Sequence, residues 1–151
     1  MKSKKRLIIV TTSIRVNKTE ELIPAIERFD GVFFRLLRKY IRKGMMKNTD
    51  VLILSEKDGL VRHDQKLPFR KPAGKIGALT LDPKQVETAR AKNLEMLKTT
   101  LKNYSEIYIN VGKQYLKLIE GFERYTKAKI TYAKGRYGEK ARHMRDWIIS
   151  A

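Results

Sequence analysis

The chain has 151 residues, no cysteine and two histidines, with 34 Lys+Arg against 16 Asp+Glu and a formal charge of +18. That length suits one domain with a real core, and the lack of cysteine excludes disulfides and cysteine-based zinc or redox sites. A cationic surplus of this size attracts polyanions, so nucleic acid is the expected partner. Bases outnumber acids too far for the ion-pair networks of heat-adapted surfaces to be the first reading.

No apolar run approaches the ~20 residues of a membrane-spanning helix. The opening "MKSKKRLIIVTTS" lacks the cleavage site of a signal peptide. No membrane insertion and a cytoplasmic location are therefore expected.

In chain order, Arg6 to Thr11 is apolar almost throughout, as expected of a strand buried on both faces. A polar loop, "TTSIRVNKTEELIPA", follows. Asp30 is placed to cap a helix, "GVFFRLLRKYIRK", that stops at Gly44. Its expected core stripe is Phe33, Leu36, Leu37, Tyr40 and Ile41, with Arg35, Arg38 and Arg42 as a basic stripe on another face. Val51 to Leu54 is the second strand, and Ser55 to Leu81 reads as one long loop with Pro68, Pro72 and glycines at 59, 74 and 77. The next helix starts clearly, with Asp82 as N-cap, Pro83 in the first turn and Gln85 placed for a capping box. Val86, Ala89, Leu94, Leu97 and Leu101 are expected to face inward.

"EIYINV", Glu106 to Val111, is the third strand and ends in Gly112-Lys113. A helix over about Gln114 to Phe122, a fourth strand over Ala128 to Ala133 and a last helix from Glu139 to Ile149 complete the series. The last helix is expected to point Ala141, Met144 and Ile148 inward. The alternation predicts a single three-layer α/β domain with a mostly parallel sheet of about four strands.

Ligands of open parallel sheets bind outside the carboxyl ends of the strands. Those ends are Thr11-Thr12-Ser13, Ser55-Glu56-Lys57, Gly112-Lys113 and Lys134-Gly135-Arg136. Hydroxyls, lysines and glycines are thus expected along one edge, a good environment for a phosphate or nucleotide. Lys18, Ser55, Lys57 and Asp64 are the candidate reactive groups, since a lysine in a partly enclosed site can act as nucleophile or base. Ser13, Gly112, Lys113 and Tyr115 are candidate substrate contacts. Arg35, Arg38, Arg42, Arg136, Arg142 and Arg145 are candidates for gripping nucleic-acid phosphates. Asp58-Gly59 reads as a turn with Gly59 at positive φ. Tyr115 and Trp147 read as packing residues, and His143 as part of a solvated helix face. Asp50 opens its strand and Glu56 follows the end, which separates the two carboxylates and argues against a paired-carboxylate metal site. No metal and no cofactor are expected.

Several of these segments resemble a family of small prokaryotic and phage proteins of unassigned function, loosely grouped with the YaaA peroxide-stress proteins. They are "IVTTSIRVNK", "IPAIERFDGVFFRLLRKY", "VLILSEKDGLVRHDQKLPF", "YINVGKQYLKLI" and "GRYGEKARHMRDWI", with "LILSEKDGLV" the most specific. A more distant likeness is to the lysine-bearing domain of archaeosine synthase, where a lysine shortly after a Cys-Ser pair attacks a nitrile on a deazaguanine base. That likeness matches Ser13 to the serine and Lys18 to the lysine. Thr12 stands where that family has cysteine, the lysine sits further along, and the following Pro-Tyr is absent.

Together these readings imply a nucleic-acid-associated protein, binding tRNA or DNA and acting on a nucleobase or glycosidic bond. The alternatives are a binding module without chemistry and a small nucleotide-binding enzyme.

Overall fold

The structure is a computed structural model that describes residues 5–13, 15–70 and 79–150. Its main sheet comprises β1 (Arg6–Thr11), β3 (Thr49–Ser55), β4 (Gly59–Arg62), β6 (Glu106–Asn110) and β7 (Lys129–Tyr132). Their spatial order is β4-β3-β1-β6-β7. All neighbours pair in parallel except β4, which folds back antiparallel on β3. A separate antiparallel pair joins β2 (Ile23–Pro24) to β5 (Lys66–Leu67). The helices are α1 (Ala25–Arg28), α2 (Val32–Arg42), α3 (Pro83–Thr100) and α4 (Tyr137–Ile149).

The central strand explains the layering. Leu7, Ile8, Ile9 and Val10 are all completely buried, because alternate side chains enter two different cores. Ile8 and Val10 join Val51, Ile53 and Tyr108 under α2 and α4, with Phe34, Leu37, Met144 and Ile148. Leu7 and Ile9 join Leu52, Leu54, Ile107 and Ile109 under α3, with Val86, Leu97, Leu101 and Phe122. The chain is therefore an α/β fold with helices on both faces of a mostly parallel sheet.

Several boundaries differ from the sequence-based expectations. The sheet has five strands because part of the Ser55–Leu81 loop forms β4, a hairpin partner that pairs Ser55 with Gly59. Gly59 takes φ +71, as its turn requires. Pro72, Gly74 and Gly77 lie outside the described residues. The loop after β1 contributes β2 and α1. Helix α2 is capped at Gly31, and Asp30 instead binds arginines. Its buried stripe is Phe34, Leu37 and Tyr40, whereas Ile41 is exposed and Phe33 and Leu36 are partly buried. The expected helix over Gln114 to Phe122 is instead two short 3-10 turns, Tyr115–Leu118 and Phe122–Tyr125, separated at Gly121 with φ +93.

Other expectations hold. Gln85 N–H donates to Asp82 Oδ1 at 2.8 Å, and Asp82 N–H donates to Gln85 Oε1 at 2.9 Å, with Pro83 opening α3. Val86, Leu97 and Leu101 are buried, and Ala89 and Leu94 are partly buried. Gly44 adopts φ +71 just past α2.

Candidate functional site

The parallel strands, numbered by their place in the chain, lie in the spatial order 2-1-3-4. From β1 the chain leaves over the α2 face, and from β6 it leaves over the α3 face. The crevice between two such strand ends is where open α/β sheets receive ligands. A cleft of about 910 Å³ opens there, with Thr11, Thr12 and Ser13 at the end of β1, Ser55 to Asp58 at the end of β3, and Asn110 and Gly112 at the end of β6. Three of the four strand ends expected to converge do so, and the fourth place is taken by Tyr137 and Lys140 of α4.

The cleft is built by local hydrogen bonds. Ser13 Oγ donates to Arg15 O at 2.6 Å and accepts from Gly31 N–H at 3.2 Å, which ties the end of β1 to the start of α2. A side chain at Gly31 would collide with Ser13 Cβ at 2.8 Å. Ser55 is buried, accepts from Lys57 N–H and Asp58 N–H, and shares a hydrogen bond with Asp58. Asp58 in turn pairs with Arg70 at 2.6 Å. Glu56 accepts from the backbone N–H and hydroxyl of Thr80. These serines and carboxylates hold the rim in shape.

The walls are aromatic and apolar. Phe33 and Tyr137 stand 5.0 Å apart at a tilt, and Tyr137 is 58% exposed, so its ring presents a face to solvent. Phe29, Phe34 and Tyr115 also line the space. Burial pushes the Tyr115 phenol above its usual range, with the Glu56 carboxylate adding to the effect and a hydrogen bond with Thr12 opposing it. Arg15, Lys57, Arg70 and Lys140 bring positive charge to the lining.

The sequence-derived candidates divide accordingly. Ser13, Ser55, Lys57, Gly112, Tyr115 and Arg35 line the cleft. Exposed Lys18 and Lys113 lie outside the lining, as does Asp64, which pairs with Arg62 at 3.1 Å. Arg35 and Arg38 do not form a free stripe. Both bind Asp30, at 3.0 and 2.6 Å, and Arg38 also donates to the carbonyls of Ile26 and Phe29 at 2.8 Å each. Arg35 leads in holding the Asp30 carboxyl down at about 2, with Arg38 adding to it. Arg42, Arg136, Arg142 and Arg145 are exposed, and Arg145 contacts Asp146 at 3.2 Å.

His143 departs from its expected solvated face, since its Nδ1 lies 2.7 Å from the hydroxyl of buried Tyr108. Trp147 packs as expected, with the Arg6 guanidinium 3.5 Å from its ring centre. Asp50 and Glu56 lie at opposite ends of β3, and Asp50 bonds Tyr104 at 2.6 Å.

Two cleft residues were not legible as candidates. Asn110 passed as strand filler, although an Asn is disfavoured among Ile, Tyr and Val, and that mismatch was the available signal. Arg28 was one base among 34 Lys+Arg. It is 2% exposed and donates to the carbonyls of Asn17, Thr19, Glu21 and Leu67.

No protein-family model matches the chain, and no curated protein matches it. A solved structure with a similar backbone is AF0587, a protein of unknown function, at TM-score 0.49 and 13% identity. The match covers 96% of this chain and 44% of that one, so the chain spans under half the length of that protein.

Proposed function

We propose that this protein is a nucleic-acid-associated α/β protein whose strand-end cleft receives a nucleobase or nucleotide of a tRNA or DNA. The observation that carries this reading is the pairing of an aromatic-walled cleft of about 910 Å³ with a chain of charge +18. The cleft volume suits a group the size of a nucleotide. An exposed ring such as Tyr137 offers a stacking surface to an unstacked base, a contact worth about 1–3 kcal/mol per base. Lys57 and Lys140 in the lining, with exposed Arg42, Arg136 and Arg142 elsewhere, supply cations for the flanking phosphates.

Chemistry on the base or its glycosidic bond is part of the same proposal. The likeness to the lysine-bearing domain of archaeosine synthase points to a lysine. Among the described residues Lys57 and Lys140 are the lysines of the lining, whereas Lys18 lies outside it. Lys57, next to buried Ser55 and free of ion pairs among the described residues, is the first candidate.

A single 8-vinyladenine, which keeps the N6 donor and N7 acceptor of adenine, in a short single-stranded oligonucleotide tests base capture directly. Its fluorescence is expected to be quenched on binding, and Tyr137→Ala is expected to remove most of that quenching. Binding with no fluorescence change in the wild type would leave the basic surface as a phosphate-gripping module and remove the cleft from the account. If mononucleotides alone raise the melting temperature and polymers do not bind, the chain is a small nucleotide-binding enzyme.

A further inference from the structure

Asn110 ends β6 and, by strand alternation, shares a face with Tyr108 beneath α2 and α4. Its Nδ2 reaches Met144 Sδ of α4 at 3.8 Å. The residue is 5% exposed, and it lines the cleft together with Phe33, Phe34 and Tyr137.

Buried amides are ordinarily paired on both ends. Asn93 shows the normal case, accepting from Leu60 N–H at 3.2 Å and donating to Leu118 O at 3.0 Å. Asn110 differs. Among the described residues its one side-chain hydrogen bond goes to a thioether sulfur, a weak acceptor, and its Oδ1 has no partner. A nearly buried carboxamide thus has a solvent-accessible acceptor with no protein partner and a poorly used donor on the wall of an aromatic cleft.

We infer that Asn110 reads the edge of the base held there and selects adenine. This rests on the proposed base-accepting role of the cleft. A carboxamide carries one donor and one acceptor side by side, which complements the N6 donor and N7 acceptor of adenine. Guanine presents two acceptors, O6 and N7, on the same edge and leaves the Asn110 oxygen facing another oxygen. The flat walls formed by Phe33 and Tyr137 hold the ring, and Asn110 sets its orientation.

The test is titration of the protein with AMP, GMP and 7-deaza-AMP, using wild type, Asn110→Asp and Asn110→Ala. Wild type is expected to prefer AMP over GMP and over 7-deaza-AMP, each by about tenfold or more. Asn110→Ala is expected to lose both preferences, and Asn110→Asp, which accepts from N6 but cannot donate to N7, to lose the preference for AMP over 7-deaza-AMP, each keeping the wild-type melting temperature. Should Asn110→Asp unfold, Asn110→Ala and the 7-deaza-AMP arm on the wild type carry the test. Equal affinity of the wild type for AMP, GMP and 7-deaza-AMP would overturn the assignment of Asn110 and leave base capture standing. A preference for AMP over GMP and 7-deaza-AMP that survives Asn110→Ala would do the same. Failure of the wild type to bind any nucleotide, joined to an unquenched 8-vinyladenine probe, would overturn base capture itself.

Discussion

The Arg28 guanidinium holds the carbonyl of Leu67 with two of its nitrogens, Nε at 3.3 Å and Nη2 at 3.0 Å. Its remaining donors go to the carbonyls of Asn17, Thr19 and Glu21, at 2.6, 2.9 and 2.6 Å. All five N–H groups of a buried arginine are therefore consumed by backbone oxygens, and no carboxylate is required. The bonds join the segment after β1 to β5, and they fix one wall of the cleft.

Replacing Arg28 leaves the buried carbonyl of Leu67 and three part-buried carbonyls without this donor, the buried one costing on the order of 1–3 kcal/mol and the others less. Arg28→Ala is expected to lower stability by at least ~3 kcal/mol in a urea titration. Arg28→Lys should recover little, because a point charge cannot reproduce a planar fork. A loss under ~0.5 kcal/mol for either variant would mean that the segment 15–22 is held by something else.

Asp30 gives the fold a specific acid sensitivity. Its folded pKa is about 2, below the ordinary 3.8, chiefly through the hydrogen bond from Arg35 and with help from Arg38. A carboxylate whose pKa falls on folding contributes stability that is complete above its unfolded pKa. That contribution fades as pH drops from about 4 to about 2. Asp30→Asn is expected to be less stable at pH 6 and to lose this part of the acid dependence. Parallel stability profiles for the two proteins between pH 4 and pH 2 would contradict the assignment.

Gly112 offers a way to narrow the cleft without disturbing the fold. A Cβ built there meets nothing within 4 Å. Gly112→Val is expected to melt near the wild-type temperature and to weaken nucleotide binding. Gly31→Ala is the contrasting case, because its Cβ would press on Ser13. It should lower the melting temperature by several degrees as the β1 to α2 junction shifts. Equal thermal stability of the two variants would refute the stated packing.

How much of this was readable depended on local signals. The β1 run, the Asp82–Gln85 cap and the Gly59 turn were legible because each has a residue pattern with one physical meaning. The edge strand β4 was not, since four residues between polar turns carry too little periodicity to separate from a loop. The phase of α2 was lost for a related reason. Phe33 and Phe34 are adjacent and both apolar, so spacing alone cannot say which enters the core. The arginine stripe failed because a carboxylate just before the helix, outside helical spacing, decides it. Asp30 lies outside α2, and only the folded chain brings its carboxylate to Arg35 and Arg38. The strand-end site was legible in outline because parallel topology fixes where it must lie, whereas Asn110 needed the cleft to give it meaning.

The central claim is tested most directly by binding to tRNA, single-stranded DNA and duplex DNA across a salt series, with wild type and Lys57→Ala. The account predicts tight binding with a steep salt slope, a preference for one polymer, and a slope reduced by about one in Lys57→Ala. Weak binding to all three at every salt concentration would contradict it, and the cleft would then belong to a free small molecule.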